Sequence, residues 1–328
     1  MSLKAIAAAL GLSVTTVSRA LNGYEDVAQE TRKRIEEEAQ RRGYRPNAAA
    51  RRLKTGRANA VGLVYPVSAP PLSDGHFSEM LLALDQRLAH HEIDLLLLAD
   101  KPQSQPLLTR LLRSRAVDAI IVTHITPQDR RLAYLLQTDF RFLALGRSDL
   151  PQDYAWFDVD HAAGSQLAVA YCLSQGREKI AWLGSNENSS RIRDRRQGYL
   201  DALGTLAPYA QAAMPASRRA GYQQTCAWLA AENPPDAIIT DCGPLAEGAM
   251  VALQQAGRAA GKQAITLIGW DGLPRDAILD HPIITIRQAA QHQVGEQLAE
   301  MVLQLLKGTP PRQLQTLWQP WLQLPPSL

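Results

Sequence analysis

The sequence predicts an all-α helix-turn-helix head followed by an α/β core of two doubly wound subdomains. Three observations lead there. Residues 2–22, SLKAIAAALGLSVTTVSRALN, read as two short helices broken by a glycine. From about residue 58, short apolar runs alternate with amphipathic helical stretches, the signature of a parallel sheet flanked by helices. That alternation begins again near Asp160, and 328 residues exceed the usual size of one domain.

In the head, one helix is expected over Leu3–Leu10 and a second over Val14–Leu21. Ala7 is small enough for a close crossing, Gly11 permits the sharp turn, and Val17 plugs the angle between the helices. Ser13 stands where the second helix begins, with a hydroxyl able to cap its free amides. A third helix follows in VAQETRKRIEEEAQRRGY, with Val27, Ile35 and Ala39 on its inner face and Gly43 as its stop. Such an arrangement is built to lay its second helix in a DNA groove. Pro46 then opens PNAAARRLKTG, a stretch of good helix formers too short to persist alone in water, so a conditional helix is expected over 46–57.

In the core, ANAVGLVYP, EIDLLLLAD, VDAIIVTH and RFLALGR read as strands, with FSEMLLALDQRLAHH and PLLTRLLRSRA as helices. After Asp160 come a helix, the strand EKIAWLGS, a helix through Gly198, a helix around Tyr222–Ala231, the strand DAIITD, the helix PLAEGAMVALQQAG and the strand AITLIGWD. A last long helix, QAAQHQVGEQLAEMVLQLLKG, precedes a short β-rich tail ending in WQPWLQL. Domain boundaries are expected at 1–45, 46–57 and 58–328, with crossovers between subdomains near 160 and 288.

The net charge of +3 conceals an asymmetry: residues 1–57 hold twelve Lys/Arg against six Asp/Glu, leaving −3 on the rest of the chain. Basic charge therefore belongs to the head. Cys172, Cys226 and Cys242 are odd in number and widely spaced, which argues against a disulfide frame or a zinc site; no metal or cofactor is expected. The start of the chain lacks a cationic segment followed by an apolar run, and Ile93–Ala99 is too short to span a bilayer, so a cytoplasmic protein without membrane contact, nucleoid-associated when bound to DNA, is expected.

The segments LSVTTVSRALNG, VAQETRKRIEEEAQRRGYRPNAAARRLKTG, VDHAAG, SQGREKIAWLGS, RRQGYLDAL and LIGWDG, in that order, resemble the lactose and galactose repressor (LacI/GalR) family of bacterial transcription regulators along essentially the whole chain. The resemblance implies a periplasmic-binding-protein-like core with its ligand between the two α/β units. It also implies base-edge contacts from Val14, Thr15 and Arg19, with Arg19 reaching guanine bidentately. Thr16, Ser18, Asn22 and Thr31 supply short donors for phosphates, and Ser13, at the start of the second helix, is counted with the DNA-binding residues. Residues 46–57 resemble the family's hinge helix, in which Leu53 matches a leucine wedged into the minor groove, with Ala50 on the same face and Asn47 near its start. In the core, Arg195 matches a ligand-gripping arginine, Asp271 an acceptor of ligand hydroxyls, and Phe77, Asp160 and Gln288 further cleft positions. Where many members carry Asn-Asp, this chain has Cys242-Gly243; Asp241 is the candidate to compensate, and the alternative is a pocket reshaped for a different or larger sugar. The alternatives at these positions are solvated helix faces, a plain linker at LKTGRA, an Arg195–Asp194 pair, a helix cap at Asp271 and simple core at Phe77; Trp182 and Trp270 read as core.

The expected function is a repressor of carbohydrate-utilisation genes, a homodimer or tetramer on a palindromic operator, released by a small sugar effector. A regulator whose ligand strengthens DNA binding and a sugar-binding transport component are the rivals. An enzyme is not expected, since the chain carries no nucleophile elbow, phosphate-binding glycine loop or metal cluster.

Overall fold

In the head, helices α1 (Leu3–Leu10), α2 (Val14–Leu21) and α3 (Gln29–Arg41) form as their spacing predicts. Gly11, at φ +65°, turns the chain out of α1 and donates its amide to Ala7. Ser13 Oγ accepts the amide of Thr16 at 3.0 Å, capping α2. Ile6, Ala7, Val17, Ala20, Val27, Ile35 and Ala39 close into one small core, with Val17 and Ile35 wholly buried. The computed structural model describes residues 2–21, 24, 26–44, 56–66, 75–100, 105–274, 277 and 283–325, and the chain divides into two units, Met1–Asn59 and Ala60–Leu328. Asn22, Asn47, Ala50 and Leu53 lie outside the described residues, and with them the expected hinge helix.

The second unit holds two six-stranded sheets. The first is laid down by β1 (Ala60–Pro66), α4 (Gly75–Ala89), β2 (Asp94–Asp100), α5 (Gln105–Ser114), β3 (Ala119–Val122), α6 (Arg130–Leu135), β4 (Phe142–Leu145) and β5 (Ala155–Val159). The second follows as α7 (His161–Ser174), β6 (Ile180–Ser185), α8 (Ser190–Leu203), β7 (Ala210–Met214), α9 (Arg218–Leu229), β8 (Ala237–Thr240), α10 (Gly243–Gln255), β9 (Thr266–Trp270) and β10 (Ile284–Arg287). Helix α11 (Gln291–Lys307) returns to pack on α4. The central strands are almost wholly apolar because helices cover both faces: every residue of β3 and β8 is buried, and Thr240 is the one polar side chain between them.

Strand orders are β11-β5-β4-β3-β1-β2 and β12-β10-β9-β8-β6-β7, where β11 is Gln315–Trp318 and β12 is Trp321–Gln323. The tail thus adds a parallel strand beside β5 and an antiparallel strand beside β10. It makes a third crossing between the sheets, beyond those expected near 160 and 288. Pro320 separates the two short strands and lets the chain change sheets there. In each order the connections reverse direction at one gap, β1/β3 in the first sheet and β6/β8 in the second. Ligands of open parallel sheets bind at the carboxyl ends of such strands.

Candidate functional site

On the head, α2 presents Val14, which is 40% exposed, with Thr15 beside it. Arg19 is already engaged: its Nε donates to Asp26 Oδ1 at 3.2 Å, a second bond joins Nη2 to Asp26, and its guanidinium lies 4.9 Å from the centre of the Tyr24 ring. The Thr16 hydroxyl is hydrogen-bonded to Ser13 Oγ at 2.8 Å. Ser18 and Thr31 are half-buried on α2 and α3. At the far end of α3, Arg41 and Arg42 both bond Glu38, whose carboxyl is held down to about 2 by those two arginines.

In the core, the second sheet's switch point gathers a buried polar cluster. Arg195, on α8 and 2% exposed, donates from Nη1 to the carbonyl of Asp241 at 2.5 Å and from Nε to His161 Nδ1 at 3.3 Å. Its guanidinium lies 3.8 Å above the Trp270 ring, a cation–π contact in a dry setting. Burial lowers its pKa to about 10; the charge of Arg191 adds to this, while Asp271 and Asp241 oppose it, so it remains a cation at neutral pH. Among the described residues Nη2 has no protein acceptor. Because arginine cannot accept, His161 Nδ1 is the unprotonated nitrogen, and its Nε2–H faces Asp158 Oδ1 at 3.4 Å. Burial and Arg195 keep that imidazole neutral. Burial resists ionisation of Asp158, but the hydrogen bonds from His161 and Arg147 outweigh it and hold the carboxyl low.

Asp241 is 1% exposed, and its Oδ2 accepts the Ser185 amide at 2.6 Å. Its Oδ1 has no partner among the described residues, and burial raises its pKa against the pull of that amide and of Arg195. The residue expected to compensate for the missing Asn-Asp pair therefore stands at Arg195, though it meets the arginine through its main chain. Asp271, at φ +60°, follows β9 and accepts from Gln288 Nε2 at 2.8 Å, so these two expected residues meet each other. Asp160 does not join the cluster: its Oδ1 caps α7 by accepting the Ala163 amide at 3.0 Å. Phe77 packs between Tyr65 and His124, each with its ring centre 6.2 Å away. Arg195 does not pair with Asp194, which instead bonds Arg193. Trp182 and Trp270 are core.

His124, His161 and Arg191 were not singled out from the sequence. His124 follows β3 at the first sheet's switch point, a position that the end of VDAIIVTH signals once strand order is known. The two subdomains meet here, where the Ser190 amide donates to the Ile125 carbonyl at 3.0 Å and Arg193 bonds Asp149 at 2.5 Å. Among the described residues no group of three or more side chains is arranged for a metal, and no helix is long and apolar enough to cross a membrane.

Residues 2–47 match the profile "Bacterial regulatory proteins, lacI family", and residues 58–318 match "Periplasmic binding proteins and sugar binding domain of LacI family". The chain is 45% identical over 324 residues to the HTH-type transcriptional regulator RafR of Escherichia coli, across 98% of this chain and 96% of that protein. Among solved structures, a protein of Yersinia pestis biovar Microtus str. 91001 described as a transcriptional regulator is 42% identical with a TM-score of 0.77, over 81% of this chain and 96% of that one. The lac repressor dimer bound to operator and the anti-inducer ONPF shares the fold at a TM-score of 0.84 and 23% identity, over 98% of this chain and 97% of that one. With a capped helix-turn-helix in front of two switch-point sheets, the chain belongs to the LacI family of bacterial transcriptional regulators.

Proposed function

We propose that this regulator is a dimeric repressor of carbohydrate-utilisation genes. Head 1–45 and tether 46–57 hold a palindromic operator, and a sugar bound in core 58–328 releases it. The observation that carries this reading is the cluster at the second switch point. A buried cation with Nη2 unspent, an orphaned carboxylate oxygen on Asp241 and the Asp271–Gln288 pair form a dense set of donors and acceptors suited to a polyol. The family description of residues 58–318 as a sugar binding domain supports the same class. Effector contacts are assigned to Arg195, Asp241, Asp271, Gln288 and Phe77, with Asp160 positioning α7. DNA contacts are assigned to Ser13, Val14, Thr15, Thr16, Ser18, Arg19, Asn22, Thr31, Asn47, Ala50 and Leu53.

Dimerisation through the first subdomain is supported by exposed leucines at one edge. Leu96 and Leu97 on the edge strand β2 are 37% and 40% exposed, and Leu82 on the neighbouring α4 is 59% exposed. In this reading the protein works on DNA in the cytoplasm and turns over no substrate. The test is fluorescence anisotropy of the full-length protein on its own upstream DNA, titrated with mono- and disaccharides. One sugar is expected to weaken binding; no change with any sugar, or tightening only, overturns the inducer reading.

A further inference from the structure

His124 sits at the β1/β3 switch point with a hydrogen-bond inventory that closes on one nitrogen only. The Thr123 hydroxyl has a single proton, and it goes to the Val64 carbonyl at 3.1 Å. Thr123 Oγ is also 3.0 Å from His124 Nδ1, so that nitrogen must carry the proton and donate. In a neutral imidazole the other nitrogen, Nε2, is then a bare acceptor. The ring is neutral because burial, and then the charges of Arg191 and Arg131, lower its pKa to about 4. Nε2 has no partner among the described residues.

The backbone holds this ring in place against strain. His124 has φ +53°, which a residue with a side chain rarely adopts. Arg131 Nη2 clamps the turn by donating to the carbonyls of Thr123 and His124, both at 3.0 Å, and the next carbonyl, Ile125, takes the Ser190 amide from the other subdomain. Phe77 meets the ring edge-on, which gives an apolar wall beside the open acceptor. Across the subdomain junction, the residue whose amide holds the Ile125 carbonyl is Ser190, 3% exposed, whose Oγ has no partner among the described residues. An imidazole acceptor without a protein partner among the described residues, with an unpartnered hydroxyl across the subdomain junction, suits a ligand group that can donate and accept.

We propose that His124 is a ligand-reading residue of the cleft, its Nε2 accepting a hydrogen bond from one hydroxyl of an uncharged polyhydroxylated effector. The proposal rests on the sugar-effector reading and adds a polar contact from the first subdomain to the apolar one assigned to Phe77. His161, which is buried, is spent on Arg195 and Asp158 and has no such role.

The test is calorimetry of the full-length protein with D-glucose, D-galactose, maltose, cellobiose and sucrose, followed by the monodeoxy analogues of whichever sugar binds. Wild-type protein is expected to lose about fivefold to fiftyfold in affinity for one particular deoxy analogue. His124→Phe, which fills the space without an acceptor, loses a similar factor for the parent sugar and no longer distinguishes that analogue, so the two losses are not additive. His124→Gln, which keeps an acceptor oxygen, restores part of the affinity; a merely structural histidine gives no such analogue-specific coupling. If wild type accepts every deoxy analogue equally, or His124→Phe retains the wild-type pattern, the assignment of His124 is overturned while the sugar reading stands. If wild type binds none of the sugars, both fall.

Discussion

At the scale of single residues, Arg19 shows how a contact legible in sequence differs in the free protein. The family resemblance gives it a base contact, yet Asp26 and Tyr24 already hold its guanidinium. If Arg19 reads a base as proposed, DNA replaces an existing ion pair, and the net gain is smaller than a guanine contact alone. Arg19→Ala is expected to weaken operator binding by about tenfold to a hundredfold, and Asp26→Asn to strengthen it by no more than about fivefold, because the pair is exposed. Anisotropy on operator and scrambled duplexes checks both. His124 gives a second prediction, in stability. Its folded pKa of about 4 lies below the ordinary 6.5, so between those values the unfolded chain binds the proton that the folded one refuses. Stability falls as pH drops through that window, by on the order of 3 kcal/mol. Asp158 and Asp129, with lowered values, add their loss only below their ordinary 3.8, and Asp241, with a raised value, works in the opposite sense above it. The difference in urea unfolding free energy between wild type and His124→Gln isolates the histidine: it should shrink from pH 7 to pH 4, and a constant difference contradicts the burial.

At the scale of elements, the head and the central strands were legible because local chemistry and tertiary need agree there. Gly11, Ser13 and the 3.6-residue pattern end, cap and face the helices, and runs such as AIIV in β3 are apolar because both of their faces are covered. Strand β7, AQAAM, was missed because it is an edge strand of small residues, half exposed along its length, and α6 because six residues carry too little period. The helix pairs were not legible at all. Helices α7 and α8 cross where Gly198 meets Ala162, and α9 and α10 cross where Gly221 lies on Leu245 and Gly248 on Arg218. A Cβ at Gly198 would overlap the Ala162 backbone, which has no rotamer with which to yield. Gly198→Ala should therefore destabilise the core by about 1–3 kcal/mol despite alanine's better helix propensity. The readout is the melting of the core transition; an unchanged or raised midpoint means that the helices slide apart freely.

At the scale of the whole molecule, the cleft residues came from distant parts of the chain, and this is why the site was only half legible. Arg195 and Asp271 match family motifs, whereas the role proposed for His124 depends on Thr123 finding Val64 across 59 residues. The same distance governs coupling, because only contacts that span the two subdomains can favour one cleft arrangement over another. Two such contacts are the Ser190–Ile125 main-chain bond and the Arg193–Asp149 ion pair. The ion pair is 41% and 46% exposed, and Arg193 shares its charge with Asp194, so it contributes at most about 1 kcal/mol. That is still enough to matter for an equilibrium that a sugar shifts by about 1–3 kcal/mol. If sugar binding draws the walls together, Asp149→Asn removes a strut that the bound state uses and leaves the sugar's own contacts intact. The sugar concentration for half-release from operator should then rise by up to about fivefold, with affinity for the operator in the absence of sugar equal or higher. At high salt the variant and wild type should converge, since screening removes the exposed pair from both. A variant that responds at lower sugar, or a gap that persists in salt, would mean that this contact belongs to the arrangement the sugar disfavours or acts through something other than charge.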